Sequence, residues 1–151
     1  MAPTGGAETE ILSRSECFDL LAQVSVGRIG ASIDALPVIL PVHFALSGES
    51  VLFRTIPGTK LDAATIGAVV AFQADAHEVG DRSWSVLLQG VAAAVSDEDG
   101  HARAQAIHIG PWAGGQVDLR LVRIVATNVS GRRFPIAGQG PRSELPDPPS
   151  L

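Results

Sequence analysis

The sequence predicts a mainly β fold, a small six-stranded and largely antiparallel barrel with helices at its periphery. Three observations carry that expectation. Apolar runs at strand period recur between residues 26 and 130. Their connections are short and rich in turn formers, with sixteen Gly and ten Pro in 151 residues. Only three stretches follow helical period, and each falls between strands or ahead of them.

In chain order, Met1 to Glu10 is small and polar and reads as a loose tail. Ser13 and Glu16 form a capping box, and Leu12 and Cys17 stand where a hydrophobic staple would. Cys17, Leu20, Leu21 and Val24 then follow the spacing of one helical face, which makes Cys17 a packing residue rather than a reactive thiol. Two hairpins come next. Val26 to Ile33 and Leu36 to Leu46 flank Asp34-Ala35, and Ser47-Gly48-Glu49-Ser50 leads into Val51 to Thr55. Pro37 and Pro41 in the second strand predict an edge, a bulge or a bend, because proline has no N–H to give a ladder.

A short helix opens at Thr59, and a fourth strand spans Ala68 to Ala76. After a polar loop, His77 to Arg82, the fifth strand from Trp84 to Val95 is apolar on both faces, as if one side met a core and the other a partner. Asp97 to Ile107 reads as a helix weakened by Gly100. The last strand runs from about Gln116 to Ser130, and its apolar positions change from odd (Val117, Leu119, Leu121) to even (Val122, Ile124, Ala126), which predicts a bulge there. The Pro- and Gly-rich stretch 135–151 reads as a second loose tail, which leaves 11–134 as one domain.

Composition excludes several function classes. A formal charge of -5, with neither a basic run nor interleaved aromatics, argues against holding nucleic acid by general electrostatics. No apolar run approaches the roughly 20 residues of a membrane span, and the N-terminal residues lack the pattern of a secretory signal. The expectation is a cytoplasmic protein without membrane association. One cysteine permits no internal disulfide, and His77, His101 and His108 show no metal-ligand spacing, so no metal site is expected. Neither a Gly-x-Ser-x-Gly elbow nor a nucleotide-triphosphate phosphate loop is present.

The stretch Val51 to Leu61 is where chemistry concentrates. A buried strand ends in Arg54-Thr55, passes a Pro57-Gly58 turn and restarts as a helix at Thr59, with Asp62 three residues on. Arg54, Thr55, Thr59, Lys60 and the first helical amides suit a phosphate: arginine donates two hydrogen bonds at once, and hydroxyls and amides donate more. The duller reading is a solvated pair, Arg54 and Lys60, beside Asp62.

Taken together, the order of the motifs resembles that of a known family. Val-Gly-Arg-Ile-Gly (26–30), Pro-Val-His-Phe (41–44), Val-Leu-Phe-Arg-Thr with Gly-Thr-Lys (51–60) and Trp-Ser-Val-Leu-Leu-Gln-Gly (84–90) are similar to the pyridoxamine 5'-phosphate oxidase-like flavoproteins. Within that group the chain resembles the short actinobacterial members, related to nitroimidazole-resistance proteins. The resemblance covers about residues 11–134 and implies a split barrel that dimerises and binds FMN at the dimer interface. By position, Arg54, Thr55, Thr59 and Lys60 would hold the phosphate, and Pro41, Val42 and His43 would lie along the flavin ring. Trp84, Ser85 and Gln89 would be nearby, in one version from the other subunit. His43 also reads as a satisfied barrel histidine, and Trp84 as a core anchor. The deazaflavin coenzyme and haem-related ligands occur in related branches. The implied activity is flavin-dependent reduction or oxidation of a small molecule, with a reduced nicotinamide nucleotide as one reductant, and the alternative is a non-catalytic flavin-binding protein. The true oxidase has additional C-terminal basic residues for its vitamer; this chain has Gly131-Arg132-Arg133-Phe134 and then a Pro-rich stretch, which argues against pyridoxamine phosphate as substrate.

Overall fold

The structure, a computed structural model, describes residues 9–96 and 119–135, together with 98, 100, 102 and 105. Its elements are β1 (Glu10–Ile11), α1 (Arg14–Leu21), β2 (Val26–Ile33), β3 (Leu36–His43), β4 (Ala45–Ser47), β5 (Ser50–Thr55), α2 (Lys60–Thr65), β6 (Val69–Glu78), β7 (Arg82–Ala94) and β8 (Arg120–Pro135). The eight strands form one sheet in the order β3-β2-β6-β7-β8-β5-β4, with β1 added to β8. Every pairing is antiparallel. The two ends of the sheet, β3 and β4, are consecutive in the chain with only Phe44 between them, so the sheet has to curl; β3 also packs against β5.

Alternation divides the side chains into two faces. The inner face carries Ile29, Val51, Phe53, Phe72, Trp84, Val86, Leu88, Val122 and Ile124, all essentially without exposure. Phe44, whose amide donates to the Ser25 carbonyl at 3.0 Å, sets its ring edge-to-face on Phe72 at 4.7 Å between centroids. Helix α1 covers this face with Cys17, Leu20 and Leu21. Ser13 caps it by accepting from the Glu16 amide at 3.1 Å, as the sequence predicts. Burial pushes the Cys17 thiol up, away from a reactive thiolate. Gly131 makes this seat possible, since a Cβ there would crowd Cys17 Sγ and Val86.

Four features differ from the sequence expectation. The long second strand breaks at Phe44 into β3 and β4, and a two-residue β1 begins at Glu10, inside the expected tail; together these turn six expected strands into eight. The β6–β7 loop is shorter than expected, because His77, Glu78 and Arg82 all join the ladder. The bulge lies where the register slips between Gln89 and Gly90, opposite Asn128 and Ala126, and not at Leu121–Val122. At Leu121 the apolar pattern instead marks a second, small cluster on the outer face, with Leu52, Ala45 and Val95. The fourth is β8 itself, which continues past Ser130 to Pro135. Glu98, Gly100 and Ala102 are helical and Gln105 lies in a turn, while the remainder of the Asp97–Ile107 reading, Trp112, His101 and His108 lie outside the described residues, as do 116–118, 1–8 and 136–151.

Candidate functional site

The strand-turn-helix from β5 into α2 is built around one carboxylate. Alternation turns Thr55 inward, where it is buried, and its hydroxyl donates to Asp62 Oδ1 at 2.8 Å. The turn passes Gly58 at φ 81°, a left-handed conformation that glycine adopts without strain, and the Gly58 amide donates to Asp62 Oδ2 at 3.1 Å. Thr59 caps α2: its hydroxyl accepts from the Asp62 amide at 3.2 Å and donates to the Ile56 carbonyl at 2.8 Å. In the usual capping box the carboxylate returns to the cap residue's own amide. Here it reaches one residue further back, and Arg120 Nε approaches its Oδ1 at 3.0 Å. Burial pushes the Asp62 carboxyl up, but the Thr55 hydroxyl, the Gly58 amide and the Arg120 charge outweigh it and hold the group below the usual carboxylate range.

Of the four phosphate-cradle residues, then, Thr55 and Thr59 direct their hydroxyls to partners within the strap, and Arg54 and Lys60 bring charge. Lys60 is exposed and stands 3.6 Å from Asp34 in the β2–β3 turn. Arg54 alternates with Thr55 and lies on the outer face of the sheet, across from Leu121. Arg120 is the residue that sequence reading missed here, together with the closure it makes on Asp62. The Thr59–Asp62 spacing signalled the cap, but nothing local signalled that Arg120, on the last strand, would join it.

The other candidates distribute by face. Pro41 and His43 stand opposite Arg28 and Val26 on the edge strand β3, while Val42 packs toward the core. Curling brings this end of β3 toward β5. Trp84 is 1% exposed within the inner core. Ser85 and Gln89 alternate with it and lie on the outer face. There Ser85 Oγ accepts from Gln73 Nε2 at 3.0 Å, and Gln73 Oε1 accepts from Arg28 at 3.0 Å. Around them Val69, Val91 and Val125 are exposed, at 73%, 48% and 57%. Among the described residues no group of His, Cys, Asp and Glu is arranged to hold a metal, and no helix is long and apolar enough to cross a membrane.

Arg54 and Ser85 share the outer face but are far apart. Arg54 pairs with Leu121, one residue beyond the Val122 that pairs with Ala94, so it stands level with the C-terminal end of β7. Ser85 is nine residues earlier on β7. At strand rise that is roughly 30 Å along the sheet.

Comparison with known proteins places this geometry. An uncharacterised protein of Mycobacterium tuberculosis is 34% identical over 139 residues, which cover 88% of this chain and 90% of the relative. Among solved structures, an FAD-binding protein from Mycobacterium smegmatis is 43% identical with a TM-score of 0.70, over 85% of this chain and 99% of that one. An FAD-binding protein from Mesorhizobium loti is 26% identical with a TM-score of 0.69, over 83% of this chain and 96% of that one. The family model for pyridoxamine 5'-phosphate oxidase matches residues 13–133. With that match spanning most of the curled antiparallel sheet, the chain belongs to the pyridoxamine 5'-phosphate oxidase-like family of split-barrel proteins.

Proposed function

We propose that this protein binds a flavin between two copies of itself and uses it in oxidation or reduction of a small molecule. The observation that carries the reading is the outer face of the sheet. It carries exposed apolar residues, Val69, Val91 and Val125, and polar ones, Ser85 and Gln89, that a single copy leaves open, with Arg54 half-buried toward one end. The separation of roughly 30 Å between Arg54 and Ser85 exceeds the length of a riboflavin phosphate. A two-fold partner supports a complete site by bringing its own Ser85 end to this copy's Arg54 end.

The residues fit such a ligand in part. Arg54 and Lys60 supply cations for a phosphate, and Pro41 and His43 supply a wall for a flat ring, while Val42 between them turns to the core. Thr55 and Thr59 act at one remove, by fixing the strap that presents those cations. A bound flavin would supply the hydride or electron chemistry, while the protein orients the ring and excludes water. The two flavin-binding neighbours are described as binding FAD, so FAD is the first ligand to test, with FMN and the deazaflavin coenzyme following.

Purified protein titrated with each of the three is expected to take up a flavin and turn yellow, and bleaching by a reduced nicotinamide nucleotide would support catalysis. Uptake without bleaching by any reductant favours a carrier. Protein that binds none of the three overturns the proposal. Arg54→Ala is expected to weaken binding about tenfold or more, the value of one lost charge-assisted contact of about 1.5–3 kcal/mol. Lys60→Ala should weaken it less, because that side chain is exposed.

A further inference from the structure

Strands β2 and β6 pair over only three residues, and Arg28↔Gln73 is the last pair at this end, although β2 begins at Val26 and β6 continues to Glu78. Where they part, a cavity of about 490 Å³ opens between Asp75 and the segment 22–26 that joins α1 to β2, within the range of small-molecule sites. Its lining is rich in acceptors and includes no Lys or Arg. Asp75, half exposed, has Arg28 Nη1 at 3.4 Å from Oδ1 and the Gln73 amide at 3.2 Å from Oδ2, which leaves lone pairs on both oxygens. Among the described residues no backbone amide donates to the carbonyls of Ala22, Gln23 or Val24, while the amides of the same three residues donate back into α1, to Phe18, Leu20 and Leu21. Those carbonyls stand at the negative end of the helix, whose last turn holds no basic residue. Val24 and Val26 add apolar surface to the lining.

We infer that this cavity binds a primary ammonium carried on a small apolar body. An ammonium has N–H donors and no acceptor, which matches the lining: Asp75 takes one donor together with the charge, the carbonyls at the end of α1 take the others, and Val24 and Val26 cover the hydrocarbon. Arg28 is the resident competitor. Its ion pair with Asp75 is long and half exposed on both sides, so a ligand cation displaces it at little cost. A bare metal ion would meet a single carboxylate and leave most of the 490 Å³ unfilled. Nothing in this recognition depends on the proposed flavin.

The test uses the full-length protein at neutral pH and two probes of like size, 2-phenylethylammonium, which carries the charge, and neutral 2-phenylethanol. By equilibrium dialysis, wild type should hold the ammonium about fivefold more tightly, as befits a half-exposed carboxylate. Asp75→Asn should erase that preference and leave the alcohol's affinity unchanged. Arg28→Gln should tighten the ammonium severalfold, because it removes the competitor; a purely structural Arg28–Asp75 pair would give no such gain. Gln23→Lys, which places an ammonium of the protein's own in the lining, should block the probe. Equal binding of the two probes by wild type, a preference that survives Asp75→Asn, or an ammonium affinity not raised by Arg28→Gln overturns the inference. Flavin uptake is measured on the same samples: an Asp75-dependent preference in protein that takes up no flavin supports this cavity while removing the flavin reading, so the two failures are separable.

Discussion

Asp62 shows what a single residue decides. Its carboxylate gathers the Thr55 hydroxyl, the Gly58 amide and the Arg120 side chain, so the strap is closed on an internal anion. Asp62→Asn is expected to lower unfolding free energy by about 1–3 kcal/mol in denaturant titrations at pH 7. The pH dependence follows from the depressed folded-state pKa. On acidification the unfolded chain takes up this proton first, so the stabilisation is complete at neutral pH and is lost as pH falls through and below the ordinary aspartate range. The gap between wild type and Asp62→Asn should therefore narrow in acid; a gap that widened would sink this account. Residues of this kind were only half legible in the sequence. The cap at Thr59 follows from local spacing, whereas the closure by Arg120 depends on which strand lies next to β5. Trp84 was ambiguous for a related reason: when both faces of a strand are apolar, alternation cannot say which one meets the core.

At the scale of elements, the hairpins and their turns were readable because alternation and turn residues are local properties. Asp34 and Ala35, at φ 51° and 63°, occupy the left-handed turn that the short loop requires. Pro37 and Pro41 did mark an edge strand, since β3 ends the sheet. The break at Phe44 was hidden, because an apolar residue continues the pattern while its ring turns to Phe72. The bulge was misplaced because an outer-face cluster mimicked a change of phase. Gly90 is the residue that admits the slip: a methyl there would run into the Val125 carbonyl, a backbone atom that has nowhere to go. Gly90→Ala should cost about 3 kcal/mol in equilibrium unfolding and raise proteolytic sensitivity of the β7–β8 pair. Near-wild-type stability would show that the strands separate easily at that point.

For the whole molecule, the sheet has one face filled by its own core and helix α1 and another that is buried at Leu52 and Leu121 but open along Val69, Val91 and Val125. On the proposed dimer, Val91→Asp combined with Val125→Asp is expected to give a monomer by light scattering where wild type gives a dimer, and to abolish the proposed flavin uptake, with the circular dichroism of the sheet retained. A double variant that stayed dimeric would place the interface elsewhere. The open face also owes its character to the bulge. On β8, Leu121, Arg123 and Val125 point outward before the slip, and Asn128, Ser130, Arg132 and Phe134 do so after it. Odd positions thus give way to even ones across a single unpaired residue, Thr127. Were Thr127 paired in an unbroken ladder, strict alternation would exchange the sides of everything downstream: Arg132 would be driven into the core, and Gly131 would face outward, where α1 could no longer lean on it. The slip that leaves Thr127 unpaired therefore determines that the end of β8 offers a guanidinium to solvent.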